Sequence, residues 1–459
     1  MKKKLIVLLF LSAGIGMLSQ YIGMTVHQAV IASVFSCSIL GTLFFWDMRL
    51  SFVFCGSAIL FMNKSITMDE FIRFSSLDVI LFLVGMMIIV GMMKETGIFH
   101  RLSSSILSIK NISGWKIFVI IMLISAVLSA LMGEVTSILV IVTIIFDLCT
   151  ALSVNPVPLI ISSIMATNIG SAATLLGNPI GIFIAIRGGL SFEDFLIGAL
   201  PLSCIILFLS SLILIIWYRT YIQEISSKIK HINYSATNYE SESINFKTKV
   251  SLGIFGLTLL GITMHKRLEI LFGLQDNTLL IVMPLFFAGI AMAYRHDKAR
   301  QYVEKEVEWN SLLFFMFLFA EAGVIQASGI AEFIANKFLS TMGARHNLLS
   351  GMMLFSSGIL SSILDNTVVV AAFTPIIKSL HVAQAELKTL WWCILFGACY
   401  GGNITIIGST ANIIALGLLE KEGKAKVYFF EWFKLGIIIG LISMFAAFGA
   451  VIAVPLFSR

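Results

Sequence analysis

The sequence predicts an all-α polytopic membrane protein, and three observations support that prediction. Hydrophobic residues make up 58% of the 459 residues, and only 12% are charged, whereas soluble domains carry about 25% charged residues. The mean hydropathy is +0.98. Apolar runs long enough to cross a bilayer follow one another along the chain. We expect about 11 transmembrane helices plus two opposed re-entrant hairpins, arranged in two inverted-topology repeats with broken helices.

One apolar run, residues 397–416 (GACYGGNITIIGSTANIIAL), has the wrong middle for a plain spanning helix. Gly401, Gly402 and Gly408 weaken it, because a glycine in a helix interior costs about 1 kcal/mol relative to alanine. The same part of the run contains hydroxyl and amide side chains, which would lie at the same membrane depth as these glycines. Loosened backbone is tolerated in hydrocarbon only where it is buried in protein or lines a cavity. We therefore predict a helix that is broken in mid-membrane and faces a polar site.

A second run, residues 166–185 (ATNIGSAATLLGNPIGIFIA), matches the first one at an offset of 231 positions. Thr174 falls on Thr405 and Gly177 on Gly408, and at an offset of 232 Glu134 falls on Asn366. Two halves that each contain a polar interruption and then a glycine-rich broken helix are typical of repeat-built secondary transporters. The predicted parts are an N-terminal transmembrane helix (1–25), repeat 1 (26–218; tip 133–137, broken helix 166–185), a cytoplasmic linker (219–249) and repeat 2 (250–459; tip 364–368, broken helix 397–416).

The basic residues predict the orientation. Three lysines, residues 2–4, precede the first apolar run, which we interpret as a retained helix rather than a secretory signal, with a cytoplasmic N-terminus. The basic linker 219–249 also fits the cytoplasm, whereas Lys378 and Lys388 are exceptions on the predicted outer side. Residues 116–150 fit either two spans with an outer turn or a re-entrant hairpin. The alternation of basic loops favours the hairpin.

Two acids, Glu134 and Asp365, stand at the centres of the two predicted hairpins. A lipid-facing carboxylate at the membrane centre costs about 2.5–3.5 kcal/mol, so we expect both to face the protein interior. They could carry protons, or they could cap hairpin helices. Glu321, in another apolar run, is expected either to pair with a cation or to line the path.

The candidate binding residues all belong to the two tips or the two broken helices. Hydroxyl, amide and carbonyl oxygens suit Na⁺, a hard cation. We predict one Na⁺ site near Asn366, Thr367 and Gly402, and another near Thr136, Ser137 and Gly170. The full set of candidate substrate- and ion-binding residues is Glu134, Thr136, Ser137, Asn168, Gly170, Thr174, Gly177, Asn178, Asp365, Asn366, Thr367, Gly402, Asn403, Thr405, Gly408, Ser409, Thr410 and Asn412.

Residues 84–99 (VGMMIIVGMMKETGIF), the tip Leu364-Asp365-Asn366 and residues 401–415 (GGNITIIGSTANIIA) resemble the ion transporter superfamily. The nearest branch is that of the ArsB, P-protein and citrate-transporter-like permeases, related to divalent anion:sodium symporters and NhaD-type antiporters. The resemblance implies inverted repeats, a homodimer and an elevator-like motion of the hairpin domain. The first half departs from the family pattern: its tip has Gly133-Glu134 where Asp-Asn is common, and Asn178 stands where an Asp is common.

The sequence therefore predicts a secondary active transporter of a small inorganic or organic anion or oxyanion, coupled to Na⁺ or H⁺, in the bacterial inner membrane. A Na⁺/H⁺ antiporter and an arsenite-type permease are the alternatives. We expect no enzyme, because HExxH, Walker A and GxSxG motifs are absent from the sequence. We also expect no nucleic-acid partner and no cofactor besides the coupling ion, with membrane lipid around the protein.

Overall fold

The computed structural model describes residues 2–98, 101, 113–230, 245–342, 346–380, 382–422 and 426–458, and this part of the chain is helical with no strand. Within it, nine helices are long and apolar enough to cross a membrane. These nine include both helices of the first predicted hairpin. The predicted count of 11 spans leaves those two helices out and counts two shorter helices and the two broken helices in addition to the other seven. The all-α polytopic membrane fold is confirmed, and the count of 11 spans stays a prediction.

The first half of the chain begins with helices whose ends are set by ordinary capping signals. Thr25 and Gln28 form a capping box before the second helix, and Thr67 and Glu70 form another before the fourth. The helices of this half are α1 (Lys2–Tyr21), α2 (Val26–Phe44), α3 (Arg49–Met62), α4 (Met68–Phe74), α5 (Leu77–Glu95), α6 (Gly114–Met132), α7 (Glu134–Leu152), α8 (Val157–Ser171), α9 (Pro179–Gly188) and α10 (Phe192–Trp217).

The second half contains a similar succession of helices after an amphipathic connecting helix. Its members are α11 (Arg219–Lys230), α12 (Phe246–Phe272), α13 (Thr278–Tyr294), α14 (Trp309–Ala327), α15 (Ile330–Met342), α16 (His346–Ser361), α17 (Asn366–Ser379), α18 (Gln384–Gly401), α19 (Thr410–Lys421) and α20 (Phe429–Ala453). The segments 172–178 and 402–409 are the non-helical breaks between α8 and α9 and between α18 and α19.

Corresponding helices of the two halves begin about 232 positions apart. The clearest pair is α5 and α14, which each have 19 residues and lie antiparallel. Lys94 near the end of α5 pairs with Glu306 just before α14 begins, at 3.2 Å between Nζ and Oε2. At the other end, a side chain at Gly323 of α14 would collide with the ring of Phe74, which precedes α5. The α5–α14 pair thus has equal length, matching position and opposite direction.

The helices pack as two groups. The scaffold group consists of α1–α5 and α12–α14, in which α1 packs on α2, α5 on α13 and α3 on α14. The tip group consists of α6–α9 and α16–α19, in which α6 packs on α8 and α16 on α18. Contacts of α14 with α17, and of α5 with α9, join the two groups. The candidate residues of both halves are thereby brought into the tip group, next to the scaffold helices α5 and α14.

Candidate functional site

Four helices of the tip group begin at one small cavity. These helices are α7 at Glu134, α9 at Pro179, α17 at Asn366 and α19 at Thr410. The cavity has a volume of about 70 Å³. Five of the predicted residues line it: Glu134, Thr136, Asn178, Thr367 and Thr410. The two halves of the chain therefore meet at a single site. Each half contributes residues from its tip and from the end of the break in its broken helix.

The first tip is a sharp turn at Gly133, which has φ +87°, a conformation that glycine adopts readily. The turn directs the backbone N–H of Glu134 to the carbonyl oxygen of Gly177 in the first broken helix, at 2.9 Å. The Glu134 side chain is buried, and its Oε2 has no hydrogen-bond partner in the described part of the protein. The structure thus places this acid at the wall of the cavity, and no ion pair joins it to another described residue.

The second tip is held by Asp365, the N-cap of α17. One carboxylate oxygen accepts the backbone N–H of Thr367 at 3.0 Å. The other accepts the hydroxyl of Thr410 at 2.5 Å and so joins the tip to the second broken helix. Capping of this kind is the alternative role considered for the acid, and the geometry provides it. Asp365 therefore positions two residues that line the cavity.

Polar atoms from three segments converge next to this tip. One terminal amide atom of Asn366 lies 2.6 Å from Ser361 Oγ and 3.0 Å from the carbonyl oxygens of both Ala398 and Gly408. All three neighbours can accept a hydrogen bond, so an amide nitrogen at this position can donate to them. In the same position the amide oxygen would accept from the Ser361 hydroxyl at 2.6 Å but would face two carbonyl oxygens, a repulsion that a bound cation could offset. Gly402 is also close, since a Cβ there would lie 3.1 Å from the Asn366 side chain.

The corresponding place in the first half has different chemistry. Glu134 stands 232 positions before Asn366, and Ser129 stands 232 positions before Ser361. Ser129 Oγ and Glu134 Oε2 are both buried and without a hydrogen-bond partner in the described part of the chain. Buried polar groups normally have hydrogen-bond partners. The unpartnered Glu134 oxygen is therefore a candidate for protonation, and both oxygens are candidates for binding a cation. Ser137 and Gly170 do not belong to the described cavity lining: the Ser137 hydroxyl donates to the carbonyl oxygen of Glu134, and Gly170 packs against Ala126.

Behind the cavity, three buried asparagines form a network between the two broken helices. The amide nitrogen of Asn168 donates to the side-chain oxygens of Asn403 at 2.8 Å and Asn412 at 2.9 Å. Asn412 in turn donates to the carbonyls of Gly402 and Thr405, both at 2.9 Å. These predicted residues hold the breaks together and are separated from the cavity lining.

The remaining predicted residues shape the breaks. Ser409 caps α19, and the hydroxyls of Thr174 and Thr405 donate to the carbonyls of Ala130 and Ser362, which lie just before the two tips. A Cβ at Gly177 would lie 2.2 Å from the carbonyl oxygen of Ser171, and one at Gly408 would lie 2.6 Å from that of Gly402. The chain can fold back on itself only because these glycines lack a side chain.

The scaffold group contributes a wall of the cavity that the sequence analysis did not identify. Glu308 and Ser311, at the start of α14, line the cavity together with Phe82, Met86 and Phe315. Burial is the largest influence on the half-buried Glu308 and raises its pKa, while the hydroxyl of Ser311 and the positive charge of Arg49 oppose that rise. The only sequence signal was an acid directly before an apolar run, which is a weak one.

Glu321 lies away from the cavity, in the scaffold group. It is buried among α2, α3 and α14, where Ser57 Oγ donates to its Oε1 at 3.2 Å. Neither expected role, pairing with a cation or lining the path, is found among the contacts of the described residues. Like the site residues, Glu321 stands in the middle of an apolar run. Its helix, α14, belongs to the scaffold group and not to the tip group.

These features define the class of the protein: an integral membrane protein with an internal polar site formed by two broken helices. Comparison with known proteins agrees, because the family model described as "Citrate transporter" matches residues 42–397 and 322–458. The chain belongs to this citrate transporter family and is a membrane transporter rather than an enzyme.

Three similar proteins have different names, and one of them is named a transporter. An uncharacterized transporter of Mycobacterium tuberculosis is 32% identical over 374 residues, which cover 80% of this chain and 83% of that protein. A 46 kDa membrane protein of Mycobacterium leprae is 30% identical over 372 residues, covering 80% and 84% of the two chains. The human P protein is 26% identical over 444 residues, covering 80% of this chain and 52% of the P protein.

Proposed function

We propose that this transporter moves a small carboxylate or oxyanion across the membrane, coupled to Na⁺ or H⁺. The convergence of four helix N-termini on one cavity is the observation that supports it. Each N-terminus carries roughly half a positive charge, which favours an anion even though each of the four has at least one N–H that is already bonded within the protein. No Arg or Lys belongs to the described lining, which includes Glu134 and Glu308, so an anion bound there would depend on the helix ends for positive charge. The family's description as a citrate transporter makes citrate the first anion to test.

Na⁺ coupling is supported by the atoms around Asn366. In the Na⁺-bound state, the amide oxygen of Asn366, Ser361 Oγ and the carbonyls of Ala398 and Gly408 would be its ligands. In the ion-free state, the amide turns and its nitrogen donates to the same carbonyls at 3.0 Å. The ion would add positive charge beside the cavity, as an anion site requires.

Proton coupling is supported by Glu134. An ionised carboxylate on the wall of an anion site repels the substrate, and a protonated one does not. A proton on Glu134 would therefore accompany the anion. A Na⁺/H⁺ antiporter remains the second candidate, because the same buried acid with an unpartnered oxygen could exchange a proton for a cation.

An elevator-type mechanism is part of the proposal. The equal length and opposite direction of α5 and α14 support two inverted repeats, in which corresponding segments run in opposite directions. The cavity lies where the tip group faces the scaffold group, so a displacement of the tip group would carry the cavity along α5 and α14. The predicted sides of the membrane and the repeat boundaries belong to this proposal.

The test uses purified protein in liposomes with a trapped pH dye and labelled citrate outside. Uptake that needs Na⁺, or an inward proton gradient, supports the symporter. Proton movement driven by Na⁺ but not by choline, without citrate uptake, would replace it with the antiporter. Asn366→Ala should abolish the Na⁺-dependent flux, whereas Asn310→Ala, an exposed asparagine at the start of α14, should leave it unchanged. Equal flux in both variants would contradict the Na⁺ site.

A further inference from the structure

A second cavity, of about 230 Å³, lies between the two groups of helices at the other end of α14. We call it the basic vestibule, because Arg73, Arg187 and Lys378 line it. Arg73 comes from α4 of the scaffold group, and the other two come from α9 and α17 of the tip group. Ser76, Gln326 and Thr374 complete the polar part of its lining, and the rest of the lining is apolar.

The charge of the vestibule is only partly balanced. Asp78 accepts two hydrogen bonds from Arg187, both at 3.0 Å, and Ser76 Oγ accepts a third at 2.9 Å. Arg187 has five N–H groups, so two are left for a ligand. Lys378 and Arg73 are exposed and make no ion pair with the described residues. Three positive charges thus face one carboxylate.

Nearby acids do not cancel this charge. Glu70 is the acid on α4 closest in sequence to Arg73, and its carboxylate accepts from the backbone N–H and the hydroxyl of Thr67, both at 2.9 Å. Neither Glu70 nor any other acid belongs to the described lining of the vestibule. A concave surface with a net positive charge raises the local concentration of anions.

The vestibule lies close to the candidate site. Phe319 lines the vestibule, and Phe315, one turn earlier on α14, lines the cavity at the tips. Their ring centroids are 6.4 Å apart. Phe183 of α9 stacks on Phe319 at 4.2 Å and links the two groups between the cavities. An anion in the vestibule would be separated from the candidate site by this pair of rings.

We propose that the basic vestibule is a separate binding site for a small polyvalent anion, a carboxylate or oxyanion, on the entry or exit side of the candidate site. Arg73 and Lys378 attract the anion, and the remaining N–H groups of Arg187 orient it. Guanidinium and ammonium groups together suit oxygen anions of two or three charges. The vestibule supplies the fixed positive side chains that the tips lack. This inference rests on the proposed anion transport for its purpose, although binding can be measured without transport.

The experiment is isothermal titration of the full-length protein in detergent micelles with citrate and, separately, with sulfate, at constant ionic strength. The variants are Arg73→Gln, Lys378→Gln and the two together. Lys64→Gln is the matched control, because Lys64 is an exposed lysine in the turn before α4 and lies outside the lining. We expect each single variant to bind about threefold to tenfold more weakly, and the pair more weakly still. Lys64→Gln should bind like the wild type.

The same titration in Asn366→Ala separates this inference from the proposed function. Anion binding that survives Asn366→Ala and falls in Lys378→Gln supports the vestibule, even if no citrate enters liposomes. Equal binding by wild type, Arg73→Gln and Lys378→Gln would overturn it while leaving anion transport standing. Absence of citrate and sulfate binding in the wild type would also overturn it. In liposomes, Lys378→Gln should raise the KM for citrate with an unchanged maximal rate.

Discussion

At the scale of single residues, the two halves place different chemistry at corresponding positions. Asn366 offers an amide that can face its neighbours with nitrogen or oxygen, whereas Glu134 offers a carboxylate that can lose or gain a proton. Both lie at the N-terminus of a helix beside one cavity. A site with one neutral and one acidic member can combine a cation with a proton, which a symmetric pair of amides cannot do.

Glu134→Gln tests the proton at this site. Glutamine resembles the protonated acid in shape and neutrality, so citrate uptake by the variant should stay high as the external pH rises, where uptake by the wild type falls. The measurement is the initial uptake rate across a pH series at fixed Na⁺. Asp147→Asn, an exposed acid on the same helix, should keep the wild-type profile. A wild-type profile in Glu134→Gln would leave its carboxylate with a structural role only.

Asn168→Ala tests the asparagine network. The change removes the donor to two buried side-chain oxygens, those of Asn403 and Asn412. A buried polar group left without a partner costs about 1–3 kcal/mol, so the midpoint of thermal unfolding in detergent should fall clearly. Asn310→Ala should unfold like the wild type. An unchanged midpoint in Asn168→Ala would mean that the two oxygens find other donors.

At the scale of helices, the sequence predicted the breaks and the tips because their signals are local. Glycines and amides in an apolar run indicate a break wherever the run lies in the fold, and the offset of 231 or 232 positions located the second copy. The start of α14 and the vestibule could not be predicted in the same way. Glu308 and Arg73 become important only through the packing of α14 and α4 against helices far away in the sequence. Glu321 likewise lies beside Ser57 and outside the described cavity lining, which only the packing of α14 decides.

Gly170→Ala and Gly401→Ala test the packing of the broken helices against the tips. A Cβ at Gly170 would lie 2.2 Å from the carbonyl oxygen of Ala126, and one at Gly401 would lie 2.2 Å from that of Gly358. Backbone must therefore move in both variants, and we expect a loss of thermal stability of about 1–3 kcal/mol together with reduced transport.

The control for these substitutions is Gly449→Ala on α20, where a Cβ would have no neighbour within 4 Å. Its stability should equal or slightly exceed that of the wild type, because alanine favours a helix more than glycine does. Wild-type unfolding midpoints in Gly170→Ala and Gly401→Ala would show that the helices can separate without cost.

At the scale of the whole molecule, the two groups of helices are tied together at one end by charge. Arg187 of the tip group binds Asp78 and Ser76 of the scaffold group, next to the stacked rings of Phe183 and Phe319. The candidate cavity lies on the other side of these rings, towards Glu308 at the start of α14. In an elevator-type cycle this tie must break and form again, whereas in a fixed pore it would persist.

Asp78→Asn tests that tie. Its partners are partly exposed, so the pair contributes only about 0.2–1 kcal/mol and the variant should fold. The same energy corresponds to a change of about 1.4-fold to fivefold in the ratio of closed to open forms of this end. The measurement is the rate at which a membrane-impermeant maleimide labels a cysteine introduced by Gln326→Cys, a vestibule position. Labelling should be faster in Asp78→Asn, and exchange of the charges by Asp78→Arg with Arg187→Asp should return it towards the starting rate.

Asp276→Asn, an exposed acid outside the vestibule, should have no effect. Equal rates in Asp78→Asn and Asp276→Asn would mean that the ion pair does not hold the two groups together.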